Sequence, residues 1–110
     1  MSGQRLGEFE LLVLLAALRL GKSEAYAVSI VDEIQRRTGR VVQRASVYVT
    51  LQRLETKGLV SSHLGDPLPE RGGKGRRYVA VEPAGVRAVR DARSALESMW
   101  GGLAPRLEDR

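Results

Sequence analysis

The chain has 110 residues, enough for one domain with one modest hydrophobic core. Its 18 Lys and Arg against 13 Asp and Glu give a net charge of +5, which favours an anionic partner without choosing among DNA, RNA and a membrane surface. The absence of cysteine excludes a disulfide framework and thiolate chemistry and suits a cytoplasmic protein.

The spacing predicts a first helix from Glu8 to about Leu20. Its apolar run, Leu11 to Leu18, is too short to span a bilayer, and acidic Glu8 and Glu10 stand where a secretion signal would be basic. No membrane association is expected. A helix that is apolar all round needs cover on more than one side. A partner subunit is the expected second cover; the alternative is the centre of a monomeric core.

Gly21 ends that helix, and Ser23 is the expected N-cap of a second, from about Glu24 to Thr38. Ala27, Ile30, Val31 and Ile34 give it one apolar face, and Gly39 is a suitable stop. A third helix runs from about Arg44 to Lys57, with Val47, Leu51 and Leu54 turned to the core. At 100° per residue, Ser46, Thr50, Arg53 and Lys57 fall within about 60° and form a cationic polar stripe, with Tyr48 on the other flank. Glu55 lies elsewhere on the wheel, as a local ion-pair partner or a solvated residue.

After Gly58, residues 59–64 and 77–81 alternate as half-buried strands do. The loop between them holds Arg71, Lys74 and Arg76 with Gly72, Gly73 and Gly75, and is expected to be a basic hairpin tip or, more plainly, a solvated charge run. Pro83 opens a last helix whose apolar stripe includes Val86, Val89, Leu96, Met99, Trp100 and Leu103. Val89, Leu96 and Leu103 are seven apart, a heptad-like seam that points to dimerisation. Gly101 and Gly102 are expected to end or fray the helix.

The order helix, helix, helix, hairpin, helix resembles the PadR family of winged helix-turn-helix transcriptional regulators. The stretches that carry the resemblance are LGEFELLVLLAALRL, Tyr26, VYVTLQRLETKGLVSS and ERGGKGRRYVAVEPAG, together spanning about residues 6–93. Gln43-Arg44-Ala45 departs from the family at the start of the third helix, where a small residue and a better N-cap are usual. The fold class implied is mostly α with a small β-hairpin. Residues 6–82 would form the winged DNA-binding domain, 83–104 a C-terminal dimerisation helix and 105–110 a flexible tail.

The implied function is a sequence-specific, double-stranded DNA-binding regulator of bacterial type. It would be a repressor, acting as a homodimer on a two-fold symmetric site and released by a small aromatic effector. Candidate DNA contacts are Gln43, Arg44, Ser46, Tyr48, Val49, Arg53, Lys57, Lys74 and Arg76. Arg44 suits guanine and Gln43 adenine in a major groove; Arg53 and Lys57 would lie nearer the backbone. Tyr48 would donate to a phosphate or pack as a core aromatic. Lys74 and Arg76 would reach phosphates or an adjacent minor groove. Leu11, Leu15, Val89, Leu96, Trp100 and Leu103 are the dimerisation candidates. Trp100 is either an effector-pocket wall or a core or interface anchor.

Neither catalysis, a metal nor a cofactor is expected. The single histidine, His63, has no second histidine at metal-site spacing, and GGKG lacks the ending of a phosphate loop. The rival reading is a winged helix used for protein contacts or RNA. An exposed apolar strip would favour the first, with Val49 its one candidate. Exposed aromatics would favour the second, and the chain has few.

Overall fold

A computed structural model describes residues 5–65 and 76–107. The elements are α1 (Glu8–Leu20), α2 (Ala27–Thr38), α3 (Arg44–Thr56), β1 (Val60–Leu64), β2 (Arg77–Val81), α4 (Pro83–Trp100) and α5 (Ala104–Leu107). α1, α2 and α3 pack mutually, and the β1–β2 hairpin lies against them. The strands pair antiparallel, with Val60 opposite Val81 and Leu64 opposite Arg77.

The core is built where the helical faces converge. Val13 and Leu14 from α1, Ile30 and Ile34 from α2, Val47 and Leu54 from α3, and Leu59, Val60 and Val79 from the hairpin are all buried. Each contributes the apolar face its spacing implies, and each fully buried Leu or Ile side chain is worth about 1.5–3 kcal/mol of transfer free energy.

Gly58 aims the chain from α3 into β1. Its φ of +78° closes a turn in which the Gly58 N–H donates to Glu55 O and the Leu59 N–H to Leu54 O, each at 2.9 Å. This is a Schellman closure, with its hydrophobic pair supplied by the buried Leu54 and Leu59. A different constraint acts at Gly85, where a Cβ would sit 2.3 Å from the Leu59 carbonyl oxygen. The start of α4 therefore lies directly on the start of the hairpin.

Three sequence expectations are corrected. α2 begins at Ala27, not Glu24, and Ser23 does not cap it. Residues 21–25 form a turn in which Gly21 O accepts from Glu24 and Ala25 N–H, and Tyr26 takes the N-cap position. The Tyr26 N–H donates to Ser29 Oγ at 3.0 Å. Thr50 is buried, not part of an exposed stripe, because it shares the inner face with Val47 and Leu54. Finally, α4 stops at Trp100, with Gly102 at φ +83°, so Leu103 is not on the same helix as Val89 and Leu96. Residues 105–107 of the expected tail belong to a further helical turn, α5 (Ala104–Leu107).

Candidate nucleic-acid interface

α2 and α3 form a helix-turn-helix, and the connection between them is pinned. Arg40 N–H donates to Thr38 Oγ1 at 3.1 Å, and the Arg40 guanidinium to Glu8 at 2.9 Å. Val42 N–H donates to Gln35 Oε1 at 3.1 Å. Gln43 is the N-cap of α3 but makes no side-chain cap bond, so its amide is not committed to the helix.

With Val47, Thr50 and Leu54 turned inward, the outward face of α3 is defined. Gln43, Arg44, Ser46 and Arg53 are all exposed. Tyr48 is 53% exposed, so it is a surface aromatic and not a core one. Val49 is 52% exposed. Ala45, Val49, Gln52 and Thr56 fall within about 60° at the centre of this face. Ala45 and Gln52 were absent from the sequence-derived contacts. They become legible only when the wheel is centred on the true core side, which Thr50 shifts.

Lys57 is placed differently from the backbone-facing position expected of it. Its Nζ lies 2.9 Å from Glu10 Oε2, with the two side chains 29% and 10% exposed. Glu10 Oε1 also accepts the Gly7 N–H at 3.0 Å. Burial works to raise the Glu10 carboxyl, but the hydrogen bonds from Lys57 and Gly7 and the charges of Lys57 and Arg53 outweigh it, holding the pKa below its ordinary value. Lys57 thus ties the end of α3 to the first turn of α1.

Glu55, expected as a local ion-pair partner or solvated residue, is exposed and also meets the hairpin. Ser62 Oγ lies 3.1 Å and 3.2 Å from its two carboxylate oxygens, and Arg77 donates to Ser62 Oγ at 2.9 Å. Arg76, at the root of the wing, has its guanidinium 4.4 Å from the centre of the Tyr26 ring. Tyr26 meets Tyr78 edge-on at 5.6 Å, and His63 stacks on Tyr78 at 5.9 Å. This aromatic ladder stiffens the hairpin base and fixes the direction in which Arg76 leaves it. Arg71 and Lys74 lie outside the described residues.

α1 and α4 enclose an open groove. Leu11, Leu15, Val89, Leu96 and Trp100 line it together. It continues past Leu6 and Ala92 into a wider cleft of 650 Å³. Leu15 and Leu18 remain 38% and 42% exposed, and Leu96 and Trp100 45% and 57%. Five of the six dimerisation candidates therefore meet in one apolar surface, while Leu103 lies beyond the end of α4.

Among the described residues no helix is long and apolar enough to cross a membrane. No group of three or more His, Cys, Asp or Glu among them could hold a metal ion.

Residues 14–91 match the family described as "Transcriptional regulator PadR-like family". The fold is similar to that of a PadR family transcription regulator from Clostridium difficile R20291. That similarity has a TM-score of 0.72 and 17% identity over 92% of this chain and 99% of that one. A PadR family regulator from Eggerthella lenta is similar at TM-score 0.67 and 24% identity, over 94% and 88% of the two chains. BpsR from Bordetella bronchiseptica, whose DNA binding is regulated by 6-hydroxynicotinic acid, is similar at TM-score 0.65 and 20% identity, over 96% and 74%. No curated protein matches the chain.

Proposed function

The chain belongs to the PadR-like family of transcriptional regulators, which are DNA-binding proteins and not enzymes, and from that premise we propose that it is a homodimeric repressor. It binds a two-fold symmetric operator by seating α3 in the major groove. The observation that carries this reading is the outward face of α3. Arg44, Ser46, Tyr48 and Arg53 are exposed there, on a helix whose inner face is locked into the core. Arg44 and Gln43 are at the end of the helix that meets base edges, while Tyr48 and Arg53 are placed for phosphates. Arg76 and Lys74 of the wing add cationic contacts beyond the helix.

A single such module makes few base contacts, so useful specificity calls for two copies with half-sites about one DNA turn apart. The apolar surface of α1 and α4 supports that assembly. It leaves Leu15, Leu96 and Trp100 exposed, needing cover that the described residues do not supply. The same cleft, walled by Trp100, suits a flat aromatic effector, and BpsR, a protein of similar fold, is regulated by such a compound, 6-hydroxynicotinic acid.

Selection of bound fragments from a random duplex pool tests the reading. An enriched two-fold symmetric site is expected, together with a dimer mass by light scattering. Salt-sensitive binding with no enriched sequence would replace the operator reading by a non-specific architectural one.

A further inference from the structure

We propose that the outward face of α3 selects thymine through its C5-methyl group, with Val49 as the specificity-determining residue. This rests on the DNA-reading role proposed above and names the base that the face accepts. Ala45 and Val49 are one turn apart at the centre of the face that points away from the core, and both are exposed. The flanks carry Arg44, Ser46, Tyr48 and Arg53, and no carboxylate occurs between Arg44 and Leu54. The centre of the first two turns is therefore apolar while its rims are polar.

That arrangement has a specific chemical complement. The major-groove edges present donors and acceptors at every base pair, and one apolar group, the thymine methyl. A donor or acceptor pressed against Val49 would lose water and gain no partner, which costs about 1–3 kcal/mol. The thymine methyl loses nothing by that contact and buries apolar surface on both sides. Gln52 lies three residues beyond Val49 on the same face, and its amide matches adenine N6 and N7. The pair of side chains thus suits A·T steps.

A second apolar group stands at the head of the helix. Val41 is 90% exposed, although the loop that carries it is held by hydrogen bonds on both sides, from Arg40 N–H to Thr38 Oγ1 and from Val42 N–H to Gln35 Oε1. Its exposure therefore belongs to a constrained loop, at the end of α3 from which base contacts are made.

The test compares one enriched duplex pool amplified with thymidine or with deoxyuridine triphosphate, which differ by the C5-methyl alone. The wild-type protein is expected to bind the uracil duplexes about three- to tenfold more weakly, the worth of one or two buried methyl contacts. In Val49→Ala that ratio should fall towards one, because alanine lacks the two γ-methyl groups that reach the thymine methyl and keeps only the shorter Cβ. Val49 is on the surface, so the variant should fold, and its helical circular dichroism gives the check. Equal wild-type affinity for both duplexes overturns the inference and leaves the operator reading intact. A ratio unchanged in Val49→Ala also overturns it. A pool with no enriched sequence overturns both.

Discussion

Lys57 caps the C-terminal end of α3 and reaches back 2.9 Å to Glu10 in the first turn of α1. The bond joins the helix proposed to read DNA to the helix proposed to form the dimer. Glu8, two residues earlier, holds Arg40 just ahead of α3. One helical turn of α1 therefore grips the chain at both ends of α3. Replacing Glu10 by Gln should leave the half-buried Lys57 ammonium without its counter-charge while keeping an acceptor for Gly7. The expected loss is about 1–2 kcal/mol, below the value for a fully buried pair because both groups keep some solvent. Glu10→Ala should lose more, since the Gly7 N–H is orphaned as well. Urea denaturation of both variants checks the order, and Ala no worse than Gln would refute the capping role.

Acid should weaken the same tie. The Glu10 carboxyl is held below its ordinary value of 4.5 in the folded chain, so the folded state favours the charged form. That contribution is fully present above pH 4.5. It is lost as pH falls below that value and through the lower folded pKa. Stability measured between pH 7 and pH 3 should decline at the acid end, and the decline should be shallower in Glu10→Gln. Parallel curves for the two proteins would assign the acid loss to other carboxylates.

The salt dependence of DNA binding separates cations that meet phosphate from cations that are already paired. Each neutralised phosphate contributes about 0.9 to the slope of log K against log salt. Lys57→Ala should leave the slope nearly unchanged, because Glu10 already neutralises the ammonium. Arg53→Ala and Lys74→Ala should each lower it by about one. Arg44→Ala should behave differently again, costing on the order of 1–3 kcal/mol on the selected site and little on random duplex. Equal losses on both would make Arg44 a backbone contact.

Gly85 tests the join between the hairpin and α4. An added Cβ would overlap the Leu59 carbonyl oxygen at 2.3 Å and the Val81 side chain at 2.8 Å. The first partner is backbone and cannot swing aside. Gly85→Ala should therefore destabilise by about 1–3 kcal/mol despite the better helix propensity of alanine. A thermal midpoint at or above that of the wild type would mean that α4 can lift from the hairpin freely.

Charge placed in the groove of α1 and α4 tests the dimer. Leu15 is 38% exposed in the single chain and lies beside Leu96 and Trp100. Leu15→Glu should leave the fold intact, since the side chain already meets solvent, but should bury a carboxylate in the assembled form. Light scattering should then give a monomer mass, and affinity for the symmetric site should fall to that of a half-site. A dimer that persists would place the interface elsewhere.

Much of the fold was legible because it depends on local patterns. The 3.6-residue spacing of Ala27, Ile30 and Ile34, the alternation of residues 77–81 and the stops at Gly21, Gly39 and Gly58 each report on a few neighbouring residues. The bounds of α1 and β2 follow from such signals alone. The start of α2 did not, because Ser23 has the chemistry of a cap but residues 21–25 close a turn first. Tyr26 then takes the cap position with Ser29 as its partner. Thr50 was misread for a related reason. A threonine on a helix looks polar in sequence, and only its neighbours decide that it faces inward.

The interface divides in the same way. Sequence by itself determined which segments carry cationic and apolar character: the basic run between the strands, the apolar stretch Leu11 to Leu18 and the polar start of α3. Those are properties of residue type and spacing. Only the tertiary structure decided which charges are free to act. Glu10 and Lys57 are 47 positions apart, and no periodicity links them, yet they form an ion pair that ties α3 to α1. Glu55 with Ser62, and Arg76 with Tyr26, are likewise set by packing. A charge is assigned its role by whatever lies within a few ångströms of it, and in this chain those neighbours come from other elements.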